Sequence, residues 1–349
     1  SYERGMFDRE AVRYWMPVDQ YIGGIEHAIL HLLYSRYFTR VLRHFGLVDY
    51  KEPFTRLLTQ GMVCKETAKC SEHGFLYPEE VASSQKGQTC RHCGRDVHIG
   101  RIEKMSKSKK NVVDPNALIQ KYGADTLRLF CLFAAPPEKD LDWSDQGVEG
   151  AYRFLHKVWR LISDHADVLG HAHCLDNTEG STEDALALHR KTHQTIKRVT
   201  NDIETRFHFN TAISAVMELV NTIQSLKDKL FAERAGPGIV RFAMETVVIL
   251  LSPIVPHICD ELWEILGRSE SLIDYAWPGF SEEAVKEDKI LMVVQVNGKV
   301  RSRFEIAADA GEDLIKKTAL ADDRVAARLA GRPVKKVIVV QGKLVNIVV

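Results

Sequence analysis

The sequence predicts a multi-domain chain, α/β at its start, all-α through its middle and α+β at its end, and three observations carry that prediction. Residues 17–63 alternate strand, helix and strand patterns. Residues 151–266 repeat apolar side chains at three- and four-residue spacing. Residues 291–349 return to alternating β-branched runs that begin with a hairpin signal. At 349 residues, two to three domains are expected, each able to bury its own core.

Taken in order, PVDQYIGG (residues 17–24) reads as a buried strand breaking into a glycine turn, residues 26–45 as a helix with an aliphatic and aromatic face, and residues 56–63 as a second strand. Parallel sheets of this kind take ligands at the carboxyl ends of their strands. The turn Gly23-Gly24 is expected there, where glycine lets the backbone approach a ligand with no side chain in the way. Helices are expected over residues 151–167, 182–206, 210–231 and 238–251, and residues 252–257 end one helix and begin another that runs through Leu266, a bundle of about 130 residues. LMVVQVNGKVRSRFEI then reads as a hairpin with Asn297-Gly298 at its turn, and VKKVIVVQGKLVNIVV as a strand pair turning near Gln341-Gly342.

The densest chemistry lies in Lys104-Met105-Ser106-Lys107-Ser108, followed by Lys109-Lys110-Asn111. Arg101, Lys104, Lys107, Lys109 and Lys110 stand against Glu103 alone between residues 101 and 111. Compact ammonium charges, serine hydroxyls and backbone N–H groups in a short loop suit a polyphosphate. A solvated basic loop is the plainer reading of the same charges. Asp114 and Pro115 supply a cap and a first helical residue, so the loop is expected just before a helix.

Cys70-x2-His73 and Cys90-x2-Cys93, 16 residues apart, read as two knuckles of a structural zinc site, with Gly74 and Gly94 where each turn needs backbone freedom. Cys64, His92 and His98 are substitute ligands. The text between the knuckles is too small and polar to build a core, so a metal would hold it together. A set of reduced thiols is the alternative.

Lys+Arg and Asp+Glu balance at 47 each, so no global field marks the chain for nucleic acid. Residues 291–349 carry 11 Lys+Arg against 6 Asp+Glu, a net of +5, which makes this segment the candidate for a phosphate backbone. Its foremost candidates are Lys299, Arg301 and Arg303 beside the hairpin turn, and Arg332, Lys335 and Lys336 ahead of the final strands. Period-two spacing puts Arg301 and Arg303 on one face. No apolar run has the roughly 18 to 20 residues of a membrane span and no signal region appears, so a cytoplasmic location is expected.

KMSKS, with YGADTLRLF, DLDWSDQGVEGAYRFLHKVW, YIGGIEHA and HLLYSRYF in one order, resembles the leucyl-tRNA synthetases among the class I aminoacyl-tRNA synthetases. The resemblance runs from Ser1 to Val349. It implies the C-terminal portion of such an enzyme: residues 1–62 and 99–148 as half of a Rossmann-like catalytic domain with the KMSKS loop, residues 63–98 as a zinc-knuckle insertion, residues 149–286 as a tRNA-binding helical bundle and residues 287–349 as an α+β tRNA-binding domain. It implies ATP-dependent activation of leucine, with Mg2+ accompanying ATP, and transfer of the leucyl group to tRNA-Leu.

The implied roles fall on particular residues. Lys107 stabilises phosphate charge in the transition state and Lys104 assists. Gly23, Gly24, Glu26, Met105, Ser106 and Ser108 bind ATP, with Glu26 accepting from ribose hydroxyls. Tyr21, His27 and His31 form the leucine side-chain pocket, the two histidines standing four apart on one helix face. The family's HIGH-like first signature and its threonine-rich editing domain occur nowhere in the 349 residues. The isolated chain is therefore expected to be inactive without the N-terminal half of the enzyme, in cis or in trans. The alternative is a tRNA-binding subunit, or a non-catalytic RNA-binding fragment, that needs a partner chain.

Overall fold

In the computed structural model, which describes residues 5–84, 87–176, 181–286, 289–307, 310–329, 332–340 and 344–349, Asp8 caps the first helix, α1 (Arg9–Trp15), through the N–H groups of Glu10 and Ala11. The strand β1 (Val18–Gly24) follows, then a 3-10 turn at Ile25–His27, α2 (Leu30–His44) and β2 (Phe54–Gln60). β1 and β2 pair in parallel, Val18 opposite Phe54 and Gly24 opposite Gln60, so strand, helix and strand form the expected crossover unit. The α-helix starts later than its periodicity suggests, because Gly-Ile-Glu-His-Ala-Ile offers no side chain to cap it. β2 stops at Gln60, short of the expected Val63. Gly61 there passes against the chain at Lys139, whose carbonyl would lie 2.2 Å from any added Cβ.

β3 (Val63–Cys70) and β7 (Val97–Lys104) form an antiparallel ribbon, with Cys70 opposite Val97 at one end and Cys64 opposite Lys104 at the other. Between them lie β4 (Gly74–Leu76), which pairs with β3, and the hairpin of β5 (Val81–Ser84) and β6 (Gly87–Cys90). The ribbon thus carries the cysteine knuckles at one end and hands the chain to the lysine loop at the other. A bulge opposite Thr67 interrupts its pairing, and at Gly100 an added Cβ would meet the Thr67 hydroxyl at 2.4 Å.

After the loop, Asp114 accepts from Asn116 N–H at 2.9 Å and Pro115 opens α3 (Pro115–Tyr122), as the sequence anticipates. α4 (Ala124–Ala134) and β8 (Leu141–Asp142), parallel to β3, connect to the bundle: α5 (Asp145–Ser163), α6 (Ala166–His171), α7 (Glu183–Asn201), α8 (Phe209–Leu230), α9 (Gly236–Leu251) and α10 (Pro256–Ile265). The helix expected over 182–206 leaves α-geometry at Asn201 for a π-turn, Asp202–Arg206, where buried Asp202 accepts from the Thr211 hydroxyl at 2.6 Å.

α9 is buried almost all round and packs against both α7 and α8. Among its side chains are Arg241 and Glu245, which pair at 2.8 Å, and Arg268 also reaches Glu245. Arg241 further donates to the carbonyls of Leu169, Ala172 and Leu266 at 2.6, 3.0 and 2.8 Å, at the C-terminal ends of α6 and α10.

The chain divides into two compact units, residues 1–279 and 280–349. The second contains α11 (Glu282–Val285), β9 (Lys289–Val296), β10 (Lys299–Ala307), α12 (Glu312–Ala321), α13 (Asp323–Leu329), β11 (Lys336–Val340) and β12 (Leu344–Val348), with sheet order β10-β9-β12-β11. Asn297 and Gly298 both take positive φ, 48° and 77°, as a two-residue hairpin turn demands. The turn expected near Gln341-Gly342 lies outside the described residues. Met292, Val294, Ile306, Ile315, Val345 and Ile347 make the unit's own core. Among the described residues no helix is long and apolar enough to cross a membrane.

Candidate functional site

The lysine loop is built around buried Asn111. Its amide donates to the carbonyls of Lys65, Glu103 and Lys104 at 3.0, 3.2 and 3.4 Å, and its oxygen accepts from Ser106 N–H at 2.9 Å. Met105 N–H meets the Val63 carbonyl at 2.9 Å, tying the loop to β3. Ser106 caps a 3-10 turn, Lys107–Lys109, by accepting from Lys109 N–H, and its hydroxyl lies 3.1 Å from that of Ser108. Lys110 closes the turn at φ 53°. Asn111 has no role in the sequence analysis; its only signal there is a side chain with both amide donor and acceptor at the end of a run of cations.

Charge in the loop is far more balanced than its local sequence implies. Lys104 pairs with Glu26 at 2.8 Å, Arg101 with Glu103 at 3.0 Å, Lys109 with Glu103, and Lys110 with Glu80 at 3.4 Å. Glu26 and Glu103 are held below the usual carboxylate range chiefly by Lys104 and Lys109 respectively. Lys107 is exposed and, among the described residues, has no ion-pair partner. The fold therefore leaves one signature ammonium available while neutralising the other cations.

The Lys104–Glu26 contact brings the loop to the carboxyl end of β1, as expected for a parallel unit. A Cβ on Gly24 would lie 2.3 Å from the Glu26 carboxylate, so this glycine makes room for Glu26 itself, whereas a Cβ on Gly23 would meet only ordinary contact with Tyr21. Tyr21, His27 and His31 do cluster: the Tyr21 hydroxyl bonds His31 Nε2, and the His27 and His31 rings are 5.9 Å apart. They do not share one α-helix, because His27 ends the 3-10 turn that precedes α2. Tyr21 also stacks on Phe54 at 4.2 Å.

Cys70, His73, Cys90 and Cys93 converge within the knuckle region. Cys70 Sγ lies 3.6 Å from Cys93 Sγ and 3.8 Å from His73 Nδ1, and Cys90 Sγ is 3.8 Å from the same nitrogen. Tetrahedral zinc with sulfur bonds of about 2.3 Å puts its sulfurs roughly 3.8 Å apart, so this donor set fits such an ion. N–H groups of His73 and then Glu72 lower the Cys70 thiol to about 6, favouring the thiolate that a metal needs. The substitute ligands stand elsewhere: Cys64 opposite Lys104, His98 opposite Lys69, and His92 bonded to Glu80 at 3.0 Å. Glu80 in turn receives Lys110, whose ammonium lies 5.0 Å from the Tyr77 ring, so the knuckle region touches the lysine loop directly.

In the second unit, Lys299, Arg303, Lys335 and Lys336 are exposed. Arg301 is different. A bulge between Val300 and Ser302 breaks the alternation that would have put Arg301 and Arg303 on one face, and Arg301 Nε is buried without a hydrogen-bond partner. Arg332 donates to the Arg328 and Leu329 carbonyls, closing α13. A basic surface that the sequence reading passed over lies on α5, where Arg153, His156, Lys157 and Arg160 line one cleft with Lys227 of α8. Their three-, four- and seven-residue spacing was its signal.

Residues 98–144 match the family of class I tRNA synthetases (I, L, M and V), and residues 186–316 match the anticodon-binding domain of tRNA ligase. A leucine–tRNA ligase of Desulfatibacillum aliphaticivorans is 58% identical over 346 residues, covering 99% of this chain and 40% of its own length. That of Desulforapulum autotrophicum is 57% identical, with 100% and 40% covered. The chain is homologous to leucine–tRNA ligases. It spans about 40% of the length of these leucine–tRNA ligase relatives. Among solved structures, the Agrobacterium radiobacter K84 AgnB2 LeuRS in a ternary complex with tRNA and LeuAMS superposes with a TM-score of 0.72 at 33% identity, over 95% of this chain and 38% of that one. A Mycobacterium tuberculosis methionyl-tRNA synthetase shares the fold, with a TM-score of 0.52 at 17% identity over 76% of this chain and 48% of that one. The leucine–tRNA ligase homology and this fold agree with the resemblance read from KMSKS and its flanking motifs.

Proposed function

We propose that this chain supplies the KMSKS side of a site that activates leucine with ATP and transfers it to tRNA-Leu. The observation that supports the reading is the Lys104–Glu26 contact at 2.8 Å, which ties the loop that bears Lys107 to the residue two positions after Gly24. In the proposed reaction the leucine carboxylate attacks the α-phosphorus of ATP, its oxygen–phosphorus bond forms as the bond to pyrophosphate breaks, and charge grows on the leaving phosphates. Lys107 meets that charge. Lys104 holds Glu26, which accepts from ribose, while Met105, Ser106 and Ser108 present the loop backbone and hydroxyls to ATP. Mg2+ enters with the nucleotide. Tyr21, His27 and His31 shape the leucine pocket.

Leucine-dependent exchange of pyrophosphate into ATP tests this, with the chain alone and with the chain joined to the remaining part of a leucine–tRNA ligase. Exchange is expected only in the joined protein. A joined, folded protein without exchange would sink the reading. A partner-dependent fragment is favoured by one observation: α2 exposes Leu30, Leu33, Tyr34, Tyr37 and Phe38 together, a patch that another part of the catalytic domain would cover in cis or in trans. Seven free cysteines suit the reducing cytoplasm in which such an enzyme would work.

The knuckle is proposed to hold one structural zinc through Cys70, His73, Cys90 and Cys93. About one zinc per chain is expected by elemental analysis, and Cys90→Ala should release it while leaving the bundle's thermal transition in place. Protein purified without chelator and free of metal at this site would reject it.

For tRNA, we place backbone contacts on Lys299, Arg303, Lys335 and Lys336, with Arg301 secondary because its Nε is buried and Arg332 secondary because it already donates to carbonyls at the end of α13, and on the basic face of α5. Deleting residues 291–349 from a joined enzyme should weaken tRNA binding strongly and leave leucine activation nearly intact. Arg303→Ala alone should reduce the slope of log affinity against log salt by about one. Unchanged affinity and slope after the deletion would make the second unit structural only.

A further inference from the structure

A second set of metal-ligating side chains converges inside the helical bundle, away from the knuckle. His189 and His193 stand four apart on α7, and Asp176 lies in the connection that leads from α6 to α7. The Nε2 atoms of His189 and His193 lie 2.8 and 2.7 Å from the same oxygen, Oδ1 of Asp176, and 3.1 Å from each other. Histidines at i and i+4 are the spacing by which one helix offers two nitrogens to a single ion. Donors bonded at about 2.0 Å to a tetrahedral ion sit roughly 3.3 Å apart. The three observed separations are slightly shorter than that edge, so small outward movements would bring all three lone pairs onto one centre.

Burial fixes the histidines. His193 is 1% and His189 8% exposed, and the Phe242 ring lies 5.5 and 6.0 Å from their respective rings. Asp176 remains at the surface. The set is thus walled on the core side and open on the side of the carboxylate. It contains no thiolate, and two imidazoles with one carboxylate suit zinc, cobalt or nickel better than magnesium or calcium.

We propose that Asp176, His189 and His193 bind one divalent first-row transition ion, with a further position open to solvent, and that the ion fastens the α6–α7 connection to α7. Cobalt separates this site from the knuckle, because cobalt bound by cysteine gives thiolate charge-transfer bands and cobalt bound by histidine and aspartate gives only weak d–d bands. Untagged, metal-free protein titrated with Co2+ should take up about two ions, one of each spectral class. Asp176→Asn and His189→Gln should each weaken the thiolate-free class tenfold or more and leave the thiolate bands unchanged. Should His189→Gln lose helix by circular dichroism, Asp176→Asn decides, since its side chain is exposed. Folded wild-type protein lacking the thiolate-free class would overturn the proposal, as would an Asp176→Asn chain that binds like wild type; either result leaves only a hydrogen-bonded Asp–His–His cluster.

Discussion

Lys107→Ala, introduced into a leucine–tRNA ligase assembled around this chain, is expected to lower leucine-dependent pyrophosphate exchange roughly 100-fold or more. A contact made only as charge develops on the phosphates is worth about 3 kcal/mol, and the loss should fall on kcat with little change in KM for leucine. The neighbouring cations sharpen the expectation. Arg101, Lys104, Lys109 and Lys110 already face carboxylates, so none of them can replace Lys107 without breaking an ion pair. Lys109→Ala should accordingly have a smaller effect, through loop order. Equal rates for Lys107→Ala and the unaltered enzyme would remove Lys107 from catalysis.

Arg241→Met is expected to destabilise the unit of residues 1–279 by about 3–5 kcal/mol, the cost of removing one partner from a buried, hydrogen-bonded ion pair. The side chains of Arg241 and Glu245 are only 10% and 5% exposed, and the guanidinium also serves the carbonyls at the ends of α6 and α10. Met keeps the volume and returns none of those donors. The urea midpoint of the unit should fall with its slope unchanged. A loss under about 1 kcal/mol would show that water or Arg268 takes over the exposed partners. The double change with Glu245→Leu should cost less than the sum of the single changes, because the two groups share one network.

Sequence patterns conveyed the helices of the bundle, the Asn297-Gly298 turn and the Asp114-Pro115 helix start, because each rests on local periodicity or on backbone preferences of one or two residues. They conveyed the convergence of Cys70, His73, Cys90 and Cys93 as well, since a tight turn brings the two members of each pair together. What they missed depends on contacts between distant segments. Glu26 and Glu80 reach the lysine loop from 78 and 30 positions away, so counting charges between residues 101 and 111 overstated the loop's field. Arg241 reads in the sequence as a polar interruption of an apolar helix, and only the packing of α6 and α10 around α9 reveals its work. Period-two reasoning failed at Arg301 because a bulge adds one residue to the strand. The start of α2 moved for the opposite reason, a missing local cap in an otherwise helical pattern.

The ribbon of β3 and β7 can go wrong in folding in one particular way: its strands can pair one residue out of step, which would turn every side chain to the opposite face. Such a slip would carry Cys70 out of the knuckle and displace the Val63 carbonyl that holds Met105. The bulge opposite Thr67 works against this, because a displaced alignment would place the Thr67 hydroxyl against a residue that, unlike Gly100, has a Cβ. A metal gripping Cys70 and Cys93 would tighten the same alignment from the far end. The ribbon is then a gauge, whose correct pairing measures the distance from the cysteine knuckles to the lysine loop, and in the proposed enzyme deletion of a single residue from either strand should cost more activity than many substitutions within it.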